Sequence, residues 1–309
     1  MLDAQAVRDA ARALAGVAVR TPLQFVEPLG AYLKLELLQP MGAFKIRGAY
    51  NAIRKLPEAA RARGVITYSS GNHGQAVAYA ACFVGMRAVI VMPETAPAVK
   101  VAGVKRWGGE VVLEGRTSED RQRKAEEIAR REGLTIISPF DHPDIVEGQA
   151  TLGLEIAEQL PDVATVVVPV GGGGLIAGVV AGLEAAGSRA QVWGVEPSGA
   201  PKLQRSLAAG RPERLARTAS IADGLITLTV GAVPFAELSR RLARLAGVVL
   251  VEDDSIREAM HFLWQTCHLA VEASGAATTA ALLSGALKPA LPAVLVVSGG
   301  NVDPSLLED

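Results

Sequence analysis

Short segments rich in β-branched residues alternate along the chain with segments of helical length, and this alternation restricts the fold more than any other feature. We predict strands at Val65–Tyr68, Ala88–Met92, Glu110–Leu113, Val163–Val170, Gln191–Val195 and Ala293–Val297. Helices are predicted at Gln75–Phe83, Ser118–Glu132, Leu175–Ala186 and Ser255–Leu269. An alternation of β and α favours mostly parallel sheets that are covered by helices on both faces. We therefore expect an α/β fold.

Composition excludes several classes of function. With 309 residues, half of them hydrophobic, the chain can form one large domain or two smaller ones. The formal net charge is −1, which argues against nucleic acid or an anionic membrane as a partner. Apolar runs are too short to span a membrane, and the first residues lack an apolar signal core. Cys82 and Cys267 form no disulfide framework, so we expect a cytoplasmic protein.

Three glycine-rich turns with polar residues follow predicted strands. They are Ser69 to Gly74 (SSGNHG), Gly171 to Leu175 (GGGGL) and Ser298 to Asn301 (SGGN). Ligands of open parallel α/β sheets bind at the carboxyl ends of the strands, where such turns meet. The chain contains three asparagines, and two of them lie in these turns. A binding site formed by the three turns is therefore a better interpretation than three unrelated loops.

The four consecutive glycines are typical of a phosphate-binding turn. Their backbone N–H groups can surround an oxyanion, and the helix that follows adds a favourable dipole. The turn is not a Walker loop, because no Gly-Lys-Ser/Thr follows it. An alternative stays open at this point: Gly172, Gly174 and Ala177 also fit the dinucleotide-binding fingerprint, with Glu196 as a ribose-binding acid. That alternative predicts an NAD-dependent oxidoreductase.

Lys45 has apolar neighbours, Phe44 and Ile46, within the segment GAFKIRG (residues 42 to 48). A lysine that forms an imine must spend time as a free amine, which desolvation favours. We expect the nearby cation Arg47 to disfavour a second positive charge as well. Together with a phosphate-binding turn, Lys45 suits a phosphorylated cofactor that carries an aldehyde. His142, His261 and His268 have no metal-ligand spacing.

Six motifs in the chain match a known family in the same order. They are GAFKIRGAYN (42–51), SSGNHGQ (69–75), PETAPAVK (93–100), VVPVGGGG (167–174), IADG (221–224) and SGGNVD (298–303). Through them the chain resembles the fold-type II pyridoxal-phosphate enzymes, which have the tryptophan synthase β-like fold. Within these it is similar to the branch of threonine dehydratases (threonine ammonia-lyases) and serine racemases. The resemblance covers almost the whole chain.

The resemblance implies roles for individual residues. Lys45 looks like the catalytic lysine that binds pyridoxal 5′-phosphate, and the other cofactor contacts would come from Phe44, Asn72, Gly171, Gly172, Gly173, Gly174, Leu175 and Ser298. The substrate would be bound by Ser69, Ser70, Gly71, Asn72, His73, Arg121 and Thr227. The implied reaction is β-elimination that converts L-threonine or L-serine into a 2-oxo acid and ammonia. Serine racemase activity is the alternative, in which Ser70 would be a second catalytic group on the face opposite Lys45.

The resemblance also implies an organisation. We expect a small mobile domain at residues 64–140 and a large cofactor-binding domain at 1–63 and 141–309, each with an open, mostly parallel sheet. The chain ends shortly after Gly300, so we expect no C-terminal regulatory domain. A homo-oligomer, either a dimer or a tetramer, is expected.

A divalent cation is the one element of the resemblance for which the residues depart from the family pattern. The branch often binds Mg²⁺ or Ca²⁺ near a glutamate and an aspartate six residues further on. Glu196 matches the glutamate, but Lys202 stands at the second position. This departure favours an enzyme that needs no metal.

Overall fold

The computed structural model describes residues 2–69, 71–96 and 98–307, and within them the chain forms two sheets flanked by helices. The strands are β1 (Leu23–Val26), β2 (Ala31–Leu35), β3 (Val65–Tyr68), β4 (Ala88–Met92), β5 (Glu110–Leu113), β6 (Thr135–Ile136), β7 (Thr165–Pro169), β8 (Gln191–Pro197), β9 (Leu245–Val251) and β10 (Ala293–Val297). The helices are α1 (Ala4–Leu14), α2 (Ile46–Arg54), α3 (Glu58–Arg63), α4 (Asn72–Phe83), α5 (Ala98–Arg106), α6 (Ser118–Glu132), α7 (Pro143–Gln159), α8 (Gly174–Ala185), α9 (Lys202–Ala209), α10 (Ala232–Ser239), α11 (Asp253–Cys267) and α12 (Ala273–Leu283).

Both sheets are mostly parallel, which confirms the α/β prediction. The larger sheet has the strand order β1-β2-β10-β7-β8-β9, and only its edge strand β1 is antiparallel to its neighbour. The smaller sheet has the order β5-β4-β3-β6 with all neighbours parallel. Parallel strands point their carboxyl ends the same way, so the turns that follow β7 and β10 emerge at one edge of the larger sheet.

Four predicted strands, β3, β4, β5 and β10, have the predicted bounds. The predicted strand at Val163–Val170 is longer than β7, and the one at Gln191–Val195 is shorter than β8. Strands β1, β2, β6 and β9 were not predicted. Strand β2 contains the charged Lys34, which is fully buried, and β6 has two residues. In β2 the apolar residues Ala31, Leu33 and Leu35 alternate with Tyr32 and Lys34, a pattern that could have predicted this strand, whereas β6 is too short to show a pattern.

Of the four predicted helices, only α6 has the predicted bounds, and the other three differ by one to three residues at their ends. Helix α7, which comes between β6 and β7 along the chain, was not predicted. It is buried almost all round, so it has no polar face to reveal its periodicity. Helix α2, which follows Lys45, was also not predicted, because it is short and contains a glycine.

Hydrophobic clusters cover both faces of each sheet. On the larger sheet, α7 and α8 pack on one face and α11 and α12 on the other. On the smaller sheet, α4 packs on one face and α6 on the other. Ile46 and Ile53 of α2 belong to the cluster beside α4. The packing of the smaller sheet therefore extends beyond residues 64–140, and the domain division proposed from the sequence stays a prediction.

Among the residues that the structure describes, no helix combines the length and the apolar character needed to cross a membrane.

Glycines let α7 and α8 approach closely. A Cβ atom added at Gly182 would lie 1.9 Å from the carbonyl oxygen of Ala150, and one added at Gly153 would lie 2.3 Å from that of Val179. Both contacts are with backbone, which cannot move without separating the two helices.

Gly182→Ala should therefore destabilise the protein strongly. We expect the free energy of unfolding to fall by about 3 kcal/mol or more, because the extra methyl group must push α7 away from α8. Urea unfolding followed by circular dichroism measures the change.

Gly187→Ala is the matched control. A Cβ at Gly187 would meet nothing within 4 Å, but its φ of +73° lies in the left-handed region. We expect a cost of about 1 kcal/mol from backbone strain alone. Equal costs for the two variants would contradict the close approach of α7 and α8.

Candidate functional site

Asn72 joins a turn of the smaller sheet to a turn of the larger one. It is the first residue of α4, directly after the β3 turn. Its side-chain oxygen accepts a hydrogen bond of 2.8 Å from the amide of Asn301, which follows β10, and Asn301 also donates to the carbonyl of Met41. Two of the three turns that the sequence singled out are therefore in direct contact, at the carboxyl ends of their strands.

Glu272 is the second partner of Asn72. Its Oε1 accepts a hydrogen bond of 2.5 Å from the Asn72 amide, and the residue is 6% exposed. Its backbone N–H donates to the carbonyl of Gly299. A Cβ at Gly299 would lie 2.2 Å from Glu272 Oε1, which explains why a glycine follows Ser298. A buried carboxylate thus lies against both turns.

Lys45 lies immediately before α2, beside the β10 turn. The backbone N–H of Phe44 donates to the carbonyl of Ser298, and Ala43 pairs with Gly299 as an isolated antiparallel bridge. Ser298 is 3% exposed. The Lys45 ammonium nitrogen lies 5.2 Å from the centre of the Phe44 ring. Phe44, Lys45 and Ser298 are therefore close neighbours in the structure.

The segment 137–140 connects Lys45 to the glycine turn. Lys45 Nζ donates a hydrogen bond of 2.7 Å to the carbonyl of Pro139. The next residue, Phe140, packs against the tetraglycine, where a Cβ at Gly172 would lie 2.2 Å from the ring. The carbonyl of Ile137 lies 3.1 Å from Nε2 of His73. Residues 137–140 thus contact Lys45, the glycine turn and the first helical turn after β3. No motif in the sequence indicated this role.

The tetraglycine forms the turn between β7 and α8. Gly173 has a φ of +87°, a conformation that favours glycine, and it precedes the first residue of α8. A Cβ at Gly171 would lie 2.5 Å from the carbonyl oxygen of Gly224. Because the first N–H groups of a helix have no partner within it, they can bind an anion. Leu175 contributes its backbone to this helix start, while its side chain is buried in the core.

Burial lowers the pKa of Lys45 to about 8, and the nearby negative charge of Glu272 partly opposes this effect. The expectation that Arg47 would lower it was wrong. Arg47 is itself buried and paired with Glu36 and Glu155 at 2.7 Å each, so its charge is balanced. Desolvation is thus the cause that the sequence identified correctly.

The other two perturbed groups near Lys45 are Glu272 and His73. Burial raises the pKa of Glu272 to about 7, with a further contribution from Asp223, while Lys100, Asn72 and Lys45 oppose it. Burial, and then the charge of Lys45, lower the pKa of His73 to about 3. His73 is therefore neutral at physiological pH, which is consistent with a role through its backbone.

The β3 turn itself is partly described. The Ser69 hydroxyl accepts a hydrogen bond of 3.2 Å from the N–H of Gly71. A Cβ at Gly71 would lie 3.2 Å from Nζ of Lys100, which forms an ion pair of 2.5 Å with Asp223. Ser70, predicted as a catalytic and substrate-binding residue, lies outside the described residues.

Arg121 and Thr227 each have a buried polar atom without a protein partner among the described residues. These atoms are Arg121 Nε and Thr227 Oγ1. Arg121 is on α6, where its guanidinium donates to the Ser118 hydroxyl and the Arg116 carbonyl. Thr227 follows the turn 223–225, and this turn contacts Gly171 through Gly224. The structure thus places Thr227 two residues after the turn that contacts the tetraglycine, and Arg121 on the helix that packs against the smaller sheet.

Glu196 does not have the environment of a ribose-binding acid or of an available metal ligand. It is fully buried, and both of its carboxylate oxygens accept hydrogen bonds from the backbone at the start of α9. The ammonium of Lys202 lies 3.0 Å from its Oε1. Within the described residues, no three His, Cys, Asp or Glu residues are grouped so that they could hold a metal ion. These residues do not fit the divalent cation that the resemblance implied.

The residues of the site do fit a phosphorylated aldehyde cofactor. The glycine turn offers helix N–H groups in a place that side chains cannot occupy. Lys45, which is connected to this turn through Pro139 and Phe140, has an amine that burial makes easier to deprotonate. The requirements of an aldehyde and of a phosphate are thus met within one site.

Comparison with known proteins agrees with this chemistry. The family model described as "Pyridoxal-phosphate dependent enzyme" matches residues 15–299. The chain belongs to this family. Its cofactor is pyridoxal phosphate, and the fold is fold-type II.

Two groups of relatives are similar over nearly the whole chain. An L-threonine ammonia-lyase of Thermotoga maritima is 38% identical over all of this chain and 78% of its own length. A serine racemase of Oryza sativa is 36% identical over 99% of this chain and 92% of its own. Among solved structures, maize serine racemase superposes with a TM-score of 0.93 at 36% identity, covering 99% and 95% of the two chains. The processed form of threonine deaminase isoform 2 from Solanum lycopersicum has a TM-score of 0.90 at 37% identity, covering 98% and 90%.

Competitive labelling of the cofactor-free protein with acetic anhydride tests the environment of Lys45. We expect its reactivity to rise with pH to a midpoint near 8, because only the free amine reacts. At pH 7 about 10% of such a group is free amine, against about 0.04% for a lysine with an ordinary pKa of about 10.4. Peptide mass spectrometry measures the labelled fraction.

Glu272→Gln provides the second arm of this experiment. Since the negative charge of Glu272 raises the pKa of Lys45, its removal should move the Lys45 midpoint below 8. An unchanged midpoint would show that Glu272 does not influence the lysine.

Proposed function

We propose that the protein is a pyridoxal-phosphate-dependent lyase that converts L-threonine, and L-serine, into a 2-oxo acid and ammonia. The observation that supports this most is the meeting of Lys45 with the β3, β7 and β10 turns in one site. The similarity to L-threonine ammonia-lyases at 38% to 40% identity supports the reaction and the substrate. The net reaction removes ammonia from the amino acid, since the water that is lost is regained when the product forms.

Individual residues would hold the cofactor as follows. The N–H groups of residues 171–175 would bind its phosphate, and Lys45 would hold its aldehyde carbon. Asn72 would donate to its phenolic oxygen, Phe44 would pack against its ring, and Ser298 would contact its ring nitrogen. When bound, the cofactor supplies an electron sink that makes the α-hydrogen of an amino acid acidic. A neutral hydroxyl at the ring nitrogen favours prompt loss of a β-substituent.

Lys45 would hold the proton that leaves the α-carbon. A lysine with a pKa of about 8 can accept a proton and return it at neutral pH, whereas an ordinary lysine stays protonated. Phe44 and the carbonyl of Pro139 position the side chain. The β-hydroxyl would then leave as water by taking up one proton, which balances the α-proton that Lys45 accepts.

The β3 turn would bind the substrate carboxylate. It precedes α4, so the N–H groups of residues 69–73 are suited to an anion. Arg121 Nε and Thr227 Oγ1, both without a partner among the described protein atoms, would contact the substrate after residues 64–140 move as a small domain against the rest. Such closure would exclude water from the site.

Racemisation of serine is the second candidate activity, and the similarity to serine racemases supports it. It requires a proton donor on the face opposite Lys45. We propose the hydroxyl of Ser70 for this role. We also propose a cytoplasmic homo-oligomer; the free cysteines Cys82 and Cys267 suit a reducing compartment.

Lys45→Ala should abolish the visible absorption that the bound cofactor gives the purified protein. Ammonia release from L-threonine should fall at least about 100-fold, because the group that accepts the α-proton is lost. Lys55→Ala is the control, since Lys55 lies at the other end of α2 in an ion pair with Asp144. Full activity and an unchanged spectrum in Lys45→Ala would refute the proposed function.

Ser70→Ala should suppress the formation of D-serine from L-serine while ammonia release from L-threonine stays within about threefold, because elimination needs no second proton donor. Chiral chromatography of the amino acids, with an ammonia assay on the same samples, separates the two activities. If wild-type protein that deaminates threonine forms no D-serine, the racemase activity is excluded.

A further inference from the structure

Lys202 is a fully buried lysine whose ammonium group is surrounded by oxygen atoms. Its exposed fraction is 0%. Nζ lies 2.9 Å from the carbonyl oxygen of Val170, 3.0 Å from Glu196 Oε1 and 3.1 Å from the carbonyl oxygen of Ala200. An ammonium group has three donors, so each has an acceptor.

The three oxygens around Lys202 would suit a metal ion equally well. Hard divalent cations bind carboxylate and carbonyl oxygens, and here one carboxylate and two carbonyls converge. A cation that used all three would have to lie where the ammonium lies. It would also be repelled by that charge at close range. The lysine and a metal ion therefore exclude one another at this position.

The position matters because Val170 directly precedes the tetraglycine. The N–H of Val170 donates to the carbonyl of Val195 in β8, and its carbonyl accepts from Lys202. Glu196, the next residue of β8, is in turn fixed by the N–H groups of Leu203 and Gln204 in α9. One ammonium thus links the ends of β7 and β8 to the start of α9 at the entrance of the glycine turn.

We propose that the Lys202 ammonium is a built-in cation that positions the glycine turn for phosphate, and that the protein consequently needs no metal ion there. The inference rests on the phosphate role that the proposed function gives to residues 171–175. Lys202 is a positioning residue, because its three contacts are with protein atoms and none is with the turn's anion-binding N–H groups. Its effect should therefore be measurable as phosphate affinity in cofactor-free protein.

Lys34 offers a matched control. It is also fully buried, and its Nζ also has three oxygen partners, in Thr21, Glu155 and Gln159 at 2.7 to 2.8 Å. None of these partners belongs to the glycine turn, β8 or α9. Lys34→Met and Lys202→Met each remove a buried ammonium from a carboxylate, after which Glu155 keeps its ion pair with Arg47 and Glu196 keeps the N–H donors of Leu203 and Gln204. They differ in whether the glycine turn is affected.

Calorimetric titration of cofactor-free protein with inorganic phosphate compares the variants. Lys202→Met should weaken phosphate binding at least about tenfold. Lys34→Met should lower the Tm by about 5–10 °C yet keep the phosphate Kd within about twofold of wild type. The double variant Glu196→Gln/Lys202→Met removes both charges, so it should fold if the single variant does not, and it should still bind phosphate weakly.

Metal dependence is tested on the wild-type protein by its Tm. Treatment with EDTA, followed by addition of Mg²⁺ or Ca²⁺ at millimolar concentration, should leave the Tm unchanged. A Tm that falls with EDTA and recovers with either ion would overturn the metal independence. The positioning role would be overturned if Lys202→Met and the double variant both bind phosphate as tightly as the wild type. It would also be overturned if the wild-type protein binds no phosphate. None of these readouts requires turnover. A failure of this inference can therefore be distinguished from a failure of the proposed function, which is measured as ammonia release.

Discussion

The ion pair between Arg47 and Glu36 fixes the part of the chain on which the site depends. Arg47 Nε and Nη2 donate to the two oxygens of Glu36 at 2.7 and 2.8 Å, and both residues are essentially unexposed. Such a bidentate pair allows one relative orientation of its two residues. Because Arg47 is the second residue of α2, the pair constrains the position of the start of this helix, which Lys45 directly precedes. A buried pair of this kind adds little net stability, but losing one partner is costly.

A second constraint joins the two sheets. Asn72 begins α4 after strand β3 of the smaller sheet, whereas Asn301 follows β10 of the larger sheet and Glu272 precedes α12, which packs on that sheet. Their hydrogen bonds place a single amide between chain segments that are 200 and 229 residues away from it in sequence. The ion pair of Lys100 with Asp223 crosses between the sheets close by. A relative movement of the sheets would therefore have to break or preserve these contacts, and also the ion pair of Glu119 in α6 with Arg214, which follows α9.

The sequence predicted the parts of the site that local backbone chemistry determines. Gly173 must adopt a positive φ and Gly299 must leave room for a carboxylate, so both positions exclude side chains and are visible in the sequence as glycine runs. Glu272 could not be found in this way. It precedes α12 as many acidic residues precede helices, and only the packing of distant segments brings it to Asn72. The effect of Arg47 on Lys45 was misjudged for a different reason, because the sequence gives no sign that this arginine is buried and paired with Glu36 and Glu155.

Lys45 and Glu272 give the site its acid–base character as a pair. Each lowers the cost of the other's charged form, yet burial disfavours both charges, so their pKa values approach one another at about 8 and about 7. Near neutral pH the site can take up or release a proton without a large change in free energy. This property suits a reaction that moves one proton away from an α-carbon, and it arises because a lysine and a carboxylate are buried beside the same two turns.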